Sequence, residues 1–192
     1  MIAIIDYNAG NISSVQNALS RLGYESILSR DKAELTKADK IILPGVGEAS
    51  SAMAYLKKYD LVDFIKGLKQ PFLGICLGMQ LMCNYSEEGD VECLGIFDAD
   101  VKLFPPKENV PHMGWNDLSI LKGPLFDGVK ALDDVYFVHS YYVEESKEMI
   151  AQCDYILPFS AALQKDNFYA LQFHPEKSAD VGEKILKNFL AL

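Results

Sequence analysis

A single cysteine stands between two glycines at residues 74–78, in the pattern Gly-Ile-Cys-Leu-Gly, directly after an apolar run. Glycine on both sides lets a strand turn sharply into a helix without Cβ clashes, and the side chain at the apex is pushed outward. This is the cysteine form of the nucleophile elbow. At the start of a helix, unpaired N–H groups and the helix dipole favour the thiolate, which is the reactive form of cysteine. We therefore predict that Cys76 is a nucleophile.

A nucleophilic cysteine needs a base, and the sequence His-Pro-Glu at residues 174–176 supplies a candidate. His174 would accept the thiol proton, and Glu176 would orient the imidazole ring. Pro175 holds the intervening backbone extended, so that the carboxylate can turn back to the ring. The alternative is an ordinary turn in which Glu176 caps the following helix. The cysteine upstream favours a Cys76–His174–Glu176 triad.

Cysteine attack on a carbonyl creates an oxyanion, which needs two N–H donors. The elbow geometry places the backbone N–H of Leu77 as one of them. The sequence Pro-Gly-Val-Gly at residues 44–47 is the candidate source of the other, through the backbone at Val46. Two glycines around Val46 permit a peptide flip, which would act as a switch. The alternative is that residues 44–47 form a plain turn.

The composition excludes several other classes of protein. The chain has 192 residues, a net charge of −9 and a pI of about 4.8, which argues against nucleic acid or anionic membrane as the main partner. No apolar run is long enough for a membrane helix, and the N-terminus lacks the features of a signal peptide. The cysteines show neither zinc spacing nor a disulfide framework, so we expect a cytoplasmic protein without metal or cofactor. We interpret Cys83, Cys93 and Cys153 as structural.

The first half of the chain alternates apolar runs with helical patterns, which predicts a parallel sheet within one α/β domain spanning residues 1–192. The predicted strands are Ile2–Ile5, 25–28, Lys40–Leu43 and Phe72–Ile75, and the predicted helices are 13–22, 50–69 and 77–85.

The second half is predicted to be rich in β-structure and to end in a helix at residues 181–190. Residues 166–167 are predicted to form a hairpin turn between the last two strands. The predicted strand segments are 91–97, 101–104, 135–143, 150–153, 161–164 and 168–172. Cys76 and His174 both follow strands, so they meet if those strands end at the same edge of the sheet.

With these residues assembled, the chain resembles the class I (triad) glutamine amidotransferases over essentially its whole length. More narrowly, it resembles the glutaminase subunits that serve histidine biosynthesis. The resemblance implies a flavodoxin-like three-layer fold with a central, mostly parallel sheet and a β-rich C-terminal half. The segments that carry it are 6–11, 44–47, 74–80, 111–116, 136–142 and 172–178.

The resemblance implies the reaction and its residues. Cys76 would attack the side-chain amide of glutamine, His174 would pass the proton to departing ammonia, and water would then hydrolyse the thioester to glutamate. Ammonia would travel through a channel to a separate (β/α)₈ cyclase subunit that makes imidazole glycerol phosphate, in a heterodimer. The implied glutamine-binding residues are Gly47, Gln80, Ser140 and Tyr141.

The resemblance also implies a docking face for the cyclase. Two segments, residues 7–11 and 112–116, are polar and aromatic, as a docking face would be. The residues expected to contact the cyclase are Tyr7, Asn8, Asn11, His112, Met113 and Trp115. The chain departs from the family pattern at Ser13, where arginine is common, and at Ala170 and Ala179, where glycine is common. None of these positions belongs to the triad, but Ser13 falls on the expected docking face.

Three other functions remain open from sequence. A paralogous glutaminase could feed a sugar amidotransferase, with the same chemistry in this chain. A free-standing hydrolase of γ-glutamyl amides would need no partner. A non-catalytic interaction subunit could keep the fold, although the intact triad argues against it.

Overall fold

The computed structural model describes residues 1–10 and 12–192. Its largest element is a seven-stranded sheet. In spatial order its strands are β11 (Met149–Tyr155), β12 (Leu157–Lys165), β13 (Phe168–Leu171), β4 (Phe72–Ile75), β3 (Lys40–Leu43), β1 (Ile2–Ile5) and β2 (Ser26–Ser29). The pairs β1/β2, β1/β3, β3/β4 and β4/β13 are parallel, whereas β12 pairs antiparallel with both β13 and β11. This confirms the predicted α/β fold with a mostly parallel central sheet.

Helices cover both faces of this sheet, which gives three layers. Alternate residues of the first strand point to opposite sides: Ile2 and Ile4 join one core, and Ala3 and Ile5 join the other. The first core includes helices α1 (Ile12–Arg21) and α6 (Ala179–Ala191). The second includes the four helices α2 (Lys32–Lys37), α3 (Ala49–Lys58), α4 (Leu61–Gly67) and α5 (Leu77–Leu81). Burial on both faces explains why these strands are continuous apolar runs.

The first half of the chain follows the predicted order, with two differences. The predicted helix 50–69 is two helices, because Asp60 adopts a left-handed conformation with φ of 53° between them. A short additional helix is capped by the side chain of Asp31, which accepts from two backbone N–H groups. The elements are β1 (Ile2–Ile5), α1 (Ile12–Arg21), β2 (Ser26–Ser29), α2 (Lys32–Lys37), β3 (Lys40–Leu43), α3 (Ala49–Lys58), α4 (Leu61–Gly67), β4 (Phe72–Ile75) and α5 (Leu77–Leu81).

The second half contains the remaining strands and the last helix. The predicted strand 135–143 is two strands that belong to different sheets, and residues 112–117 form a strand that sequence reasoning missed. The turn at residues 166–167 is confirmed. The elements are β5 (Tyr85–Ser86), β6 (Val91–Glu92), β7 (Asp100–Leu103), β8 (His112–Asp117), β9 (Asp134–His139), β10 (Tyr141–Val143), β11 (Met149–Tyr155), β12 (Leu157–Lys165), β13 (Phe168–Leu171) and α6 (Ala179–Ala191).

Two smaller β-structures flank the central sheet. One has the strand order β10-β7-β5-β6, and the other is the antiparallel ribbon of β8 and β9. His112 and His139 are directly opposite each other in that ribbon. Within the part of the chain that the structure describes, no helix is both long and apolar enough to span a membrane.

Candidate active site

Cys76 stands at a sharp strand-to-helix turn between β4 and α5. Its φ of 52° and ψ of −109° are strained for a residue with a side chain. The glycines make the turn possible: a Cβ on Gly78 would lie 1.9 Å from the carbonyl oxygen of Leu43, and one on Gly74 would lie 2.5 Å from the sulfur of Met82. The predicted elbow geometry is therefore present, although the helix behind it is only five residues long.

The parallel pairing of β4 with β13 brings the nucleophile and the base together. Ile75 is paired with Leu171, and the backbone N–H of Cys76 donates to the carbonyl of Leu171 at 2.7 Å. His174 comes three residues after Leu171, at the same end of the sheet. The two segments are remote in sequence but adjacent in the fold.

His174 and Glu176 form a buried pair. Nδ1–H of His174 donates to Oε1 of Glu176 at 2.8 Å, and each side chain is only 2% exposed. Within residues 1–10 and 12–192, Nε2 of His174 has no hydrogen-bond partner, as expected of a nitrogen that is to accept the thiol proton of Cys76. Burial by itself would lower the pKa of His174, but the Cys76 sulfur and the Glu176 carboxylate outweigh it and raise that pKa to about 10.

A cavity of about 280 Å³ opens over the sulfur of Cys76. All four residues predicted to hold glutamine line it, together with the neighbours of the nucleophile. The lining residues are Val46, Gly47, Cys76, Leu77, Gln80, Glu88, Pro111, Val138, His139, Ser140 and Tyr141.

Glu88 is a cavity residue that sequence reasoning missed. Its carboxylate accepts the backbone N–H of Ala49 at 3.0 Å. Burial, and secondarily the negative charge of Glu48, raise its pKa. An acidic group on the wall of a small cavity is suited to an ammonium group. The only sequence signal was its place in the acidic turn after the elbow helix.

Gln80 and Gln172 occupy the space between the cavity wall and the nucleophile. Nε2 of Gln80 donates to the carbonyl of Tyr141 and to Oε1 of Gln172, both at 3.0 Å. Nε2 of Gln172 in turn contacts the sulfur of Cys76 at 3.7 Å. The amide donors of Gln80 are thus engaged by the protein itself.

The predicted oxyanion hole is not open in this state. The backbone N–H of Leu77 donates to the carbonyl of Gly45 at 3.4 Å, so a carbonyl occupies the direction that an oxyanion would need. Gly47 has a φ of 140°, a conformation that other residues rarely adopt. The loop of residues 44–47 therefore has the backbone freedom that a switch requires.

The residues predicted for a docking face divide into exposed and buried groups. Met113 is 62% exposed and Trp115 is 54% exposed, and Asn8 is also exposed. Tyr7 and His112 are buried, so their side chains are not part of the exposed surface of this chain, and their place in a partner interface stays a prediction. Both have polar partners inside the protein: Tyr7 donates to the carbonyl of Pro44, and His112 bonds to His139. Asn11 lies outside the described residues.

An α/β fold with an elbow cysteine beside a buried His–Glu pair defines a class of amide-transferring enzymes. The chain belongs to the class I glutamine amidotransferase family, whose sequence model matches residues 3–192.

Within this family, the chain is most informatively compared with individual relatives that share one name. The chain is 62% identical to the imidazole glycerol phosphate synthase subunit HisH of Bacteroides fragilis, over 100% of this chain and 99% of that protein. It is 57% identical to the subunit of the same name from Bacteroides thetaiotaomicron, with the same coverage. The HisH subunit of Vibrio cholerae is 46% identical, over 100% of this chain and 98% of that protein.

Solved structures support the fold. A glutamine amidotransferase structure superposes with a TM-score of 0.77 at 20% identity, covering 100% of this chain and 98% of that one. PurLQS from Thermotoga maritima gives a TM-score of 0.78 at 16% identity, covering 99% and 97%. At these identities the likeness concerns the fold alone.

Proposed function

We propose that this chain, as one catalytic domain of residues 1–192, hydrolyses glutamine to glutamate and ammonia. We further propose that it passes the ammonia to a (β/α)₈ cyclase subunit making imidazole glycerol phosphate in histidine biosynthesis. The observation that carries the proposal is the elbow cysteine beside the buried His174–Glu176 pair. The full-length identity to HisH subunits supports the choice of acceptor.

The reaction follows from the positions of the three side chains. The thiol proton of Cys76 passes to Nε2 of His174, and the sulfur attacks the amide carbon of glutamine. When the tetrahedral intermediate collapses, the C–N bond breaks and His174 returns the proton to the leaving ammonia. His174 then takes a proton from water, and the hydroxide cleaves the thioester. Glutamate leaves and the proton restores the Cys76 thiol.

Stabilisation of the oxyanion requires a rearrangement of residues 44–47, because the carbonyl of Gly45 now accepts from Leu77. The neighbouring loop of residues 7–10 contacts residues 44–47 and is therefore placed to cause this rearrangement. Tyr7 donates to the carbonyl of Pro44, and a Cβ on Gly10 would lie 2.9 Å from Val46. A partner that moves the loop of residues 7–10 would thereby move the oxyanion loop. We expect weak glutaminase activity from the chain alone.

An aromatic surface beside the triad suits a partner protein. Trp115 meets Tyr136 edge-to-face at 5.9 Å, and Nζ of Lys177 lies 5.9 Å from the Tyr136 ring. Lys177 directly follows Glu176 in the chain, so this surface is continuous in sequence with the triad. Exposed aromatic residues and methionine are typical of interface cores.

The proposal is tested by reconstitution with the cyclase encoded in the same genome. Glutamine hydrolysis should be slow for the chain alone and rise strongly when the cyclase and its nucleotide ligand are added. Cys76→Ala should abolish glutamine-dependent synthesis but leave synthesis from ammonium salts intact. Cys93→Ala, a partly exposed cysteine outside the cavity, is the matched control and should retain both activities.

Two of the alternative functions, the free-standing hydrolase and the paralogous glutaminase, would each give a distinct result in this experiment. Full hydrolysis without a partner would indicate a free-standing hydrolase. Activation only by an amidotransferase acting on a sugar would indicate the paralogous function. Loss of ammonia-dependent synthesis in Cys76→Ala would contradict the proposed division of labour.

A further inference from the structure

Two histidines are buried together in the ribbon of β8 and β9. His112 and His139 are 4% and 5% exposed, and Nδ1 of His112 lies 3.0 Å from Nε2 of His139. His112 is stacked between Tyr155 and Phe137, at ring-centre distances of 4.0 and 4.8 Å. Burial lowers the pKa of His112 to about 4 and that of His139 to about 3, so both rings are neutral at pH 7.

The partners of these rings decide which nitrogen carries each proton. Nδ1 of His139 lies 2.7 Å from the carbonyl oxygen of Tyr141, which can only accept, so Nδ1 carries the hydrogen. Nε2 of the neutral His139 is then an acceptor. Nδ1–H of His112 must donate to it, which leaves Nε2 of His112 as an acceptor.

Asn116 supplies the donor that this last nitrogen needs. Its Nδ2 lies 3.3 Å from Nε2 of His112 and also donates to the carbonyl of Asp154 at 3.1 Å. Its Oδ1 accepts the backbone N–H of Asp117 at 2.9 Å, which fixes the orientation of the amide. Asn116 therefore donates to His112, His112 donates to His139, and His139 donates to the carbonyl of Tyr141. We refer to these hydrogen bonds as the series.

The series continues from Tyr141 to the nucleophile. The carbonyl of Tyr141 also accepts from Nε2 of Gln80, which donates to Oε1 of Gln172. This orients Nε2 of Gln172 towards the sulfur of Cys76. Gln172 is completely buried and has no other role in the mechanism described above.

We propose that His112 and His139 are positioning residues that hold the Tyr141 carbonyl, and through Gln80 and Gln172 direct an N–H donor at the Cys76 sulfur. This inference rests on the proposed function and deepens it. A donor aimed at sulfur stabilises the thiolate over the thiol. Without His139 the Tyr141 carbonyl loses the N–H that Nδ1 of His139 donates, and the orientation of both glutamine amides is held less firmly.

The effect on the sulfur is measured without any substrate. We compare the rate at which iodoacetamide alkylates Cys76, located by mass spectrometry, in three variants. His139→Leu removes the donor to Tyr141 and should slow alkylation about tenfold. His139→Asn places an amide N–H close to the position of Nδ1 and should recover to within about threefold of the wild type. Phe159→Leu disturbs the packing around both rings without touching a hydrogen bond, and should stay within about twofold.

The same variants in the complex with the cyclase separate positioning from binding. His139→Leu should lower kcat of glutamine hydrolysis about tenfold while KM changes less than about threefold. Equal alkylation of His139→Leu and wild type, or no recovery in His139→Asn, would overturn the inference. A wild type that alkylates at Cys76 yet never hydrolyses glutamine would instead overturn the proposed function.

A spectroscopic measurement covers the case in which His139→Leu does not fold. Long-range ¹H–¹⁵N spectra of the wild-type chain distinguish protonated from bare ring nitrogens. Both His112 and His139 should carry the proton on Nδ1 alone at pH 7. A proton on Nε2 of either ring would break the series of donors and refute the inference.

Discussion

Cys76 combines a reactive sulfur with an unfavourable backbone conformation. A residue with a side chain at φ of 52° and ψ of −109° costs on the order of 1–3 kcal/mol. The surrounding strands and glycines hold that conformation, and Cys76 lines the cavity. In the mechanism we propose, the residues around it divide the remaining work: His174 exchanges protons, Gln172 directs an N–H at the sulfur, and Glu88 supplies negative charge on the cavity wall.

Replacement of Glu88 tests its place in substrate binding. Glu88→Gln keeps an oxygen that can accept from Ala49 but removes the charge that would pair with the α-amino group of glutamine. KM for glutamine should rise about tenfold with little change in kcat, because this contact is the same in the ground and transition states. Steady-state kinetics in the complex with the cyclase measures both.

The control for this prediction is Glu92→Gln, an exposed carboxylate outside the cavity, which should leave KM unchanged. If Glu88→Gln also leaves KM unchanged, the ammonium group of glutamine is bound elsewhere.

At the scale of elements, the elbow depends on the close approach of α5 to β3. Gly78 at the start of α5 touches the backbone of Leu43, the last residue of β3. Strand β3, which ends at Leu43, and strand β4, which ends just before Cys76, are neighbours in the sheet. A side chain at residue 78 would therefore push the helix away from the sheet and carry the nucleophile with it.

Two alanine substitutions in helices measure this contact. Gly78→Ala should destabilise the protein by at least about 2 kcal/mol, since its Cβ would collide with the Leu43 carbonyl. Gly67→Ala, at the end of α4, meets no atom within 4 Å and should be neutral or stabilising by about 0.5 kcal/mol. Urea unfolding gives both values. Equal stability of the two variants would contradict the packing described for the elbow.

The sequence predicted the elements that local pattern determines. Strands Ile2–Ile5, Lys40–Leu43 and Phe72–Ile75 have the predicted bounds, because burial on both faces requires continuous apolar runs. Strand β8 was missed, because its hydrogen bonds come from β9, some 20 residues later, and its own residues are mixed polar and aromatic.

The residues of the candidate site likewise divide into those that a local motif predicts and those that only the folded chain brings together. Cys76, His174 and Glu176 were predictable, because short motifs carry a distinct chemistry and follow strands of one sheet. Glu88 and Gln172 were not, because a single acidic or amide residue has no local signature, and only the packed fold brings them to the cavity and the sulfur. The buried position of His112 was likewise invisible, since its motif reads as surface.

At the scale of the whole molecule, buried histidines link stability to pH. The pKa values of His112 and His139 are about 4 and about 3 in the folded protein, against about 6.5 in an unfolded chain. Between pH 6.5 and 4 the unfolded chain binds more protons, so stability falls as the pH falls. His174 acts oppositely: its folded pKa of about 10 gives stability that is present below pH 6.5 and lost as pH rises towards 10.

The loss of stability at low pH is measured as the free energy of unfolding in urea between pH 7.5 and 5.5. Each buried histidine should contribute up to about 1.4 kcal/mol per pH unit below pH 6.5. His139→Asn should show a shallower loss than the wild type, because one titrating group is gone. A wild-type free energy of unfolding that is constant across this range would contradict the neutral, buried state of both rings.

The position of β13 has a consequence for biosynthesis of the protein. This strand, from near the end of the chain, lies between β4 and β12 in the interior of the sheet, and His174 follows it. A ribosome therefore synthesises the nucleophile some hundred residues before the base that activates it, so a nascent or truncated chain cannot release ammonia. Chemical competence therefore arrives only after β13 has been synthesised and has taken its place between β4 and β12.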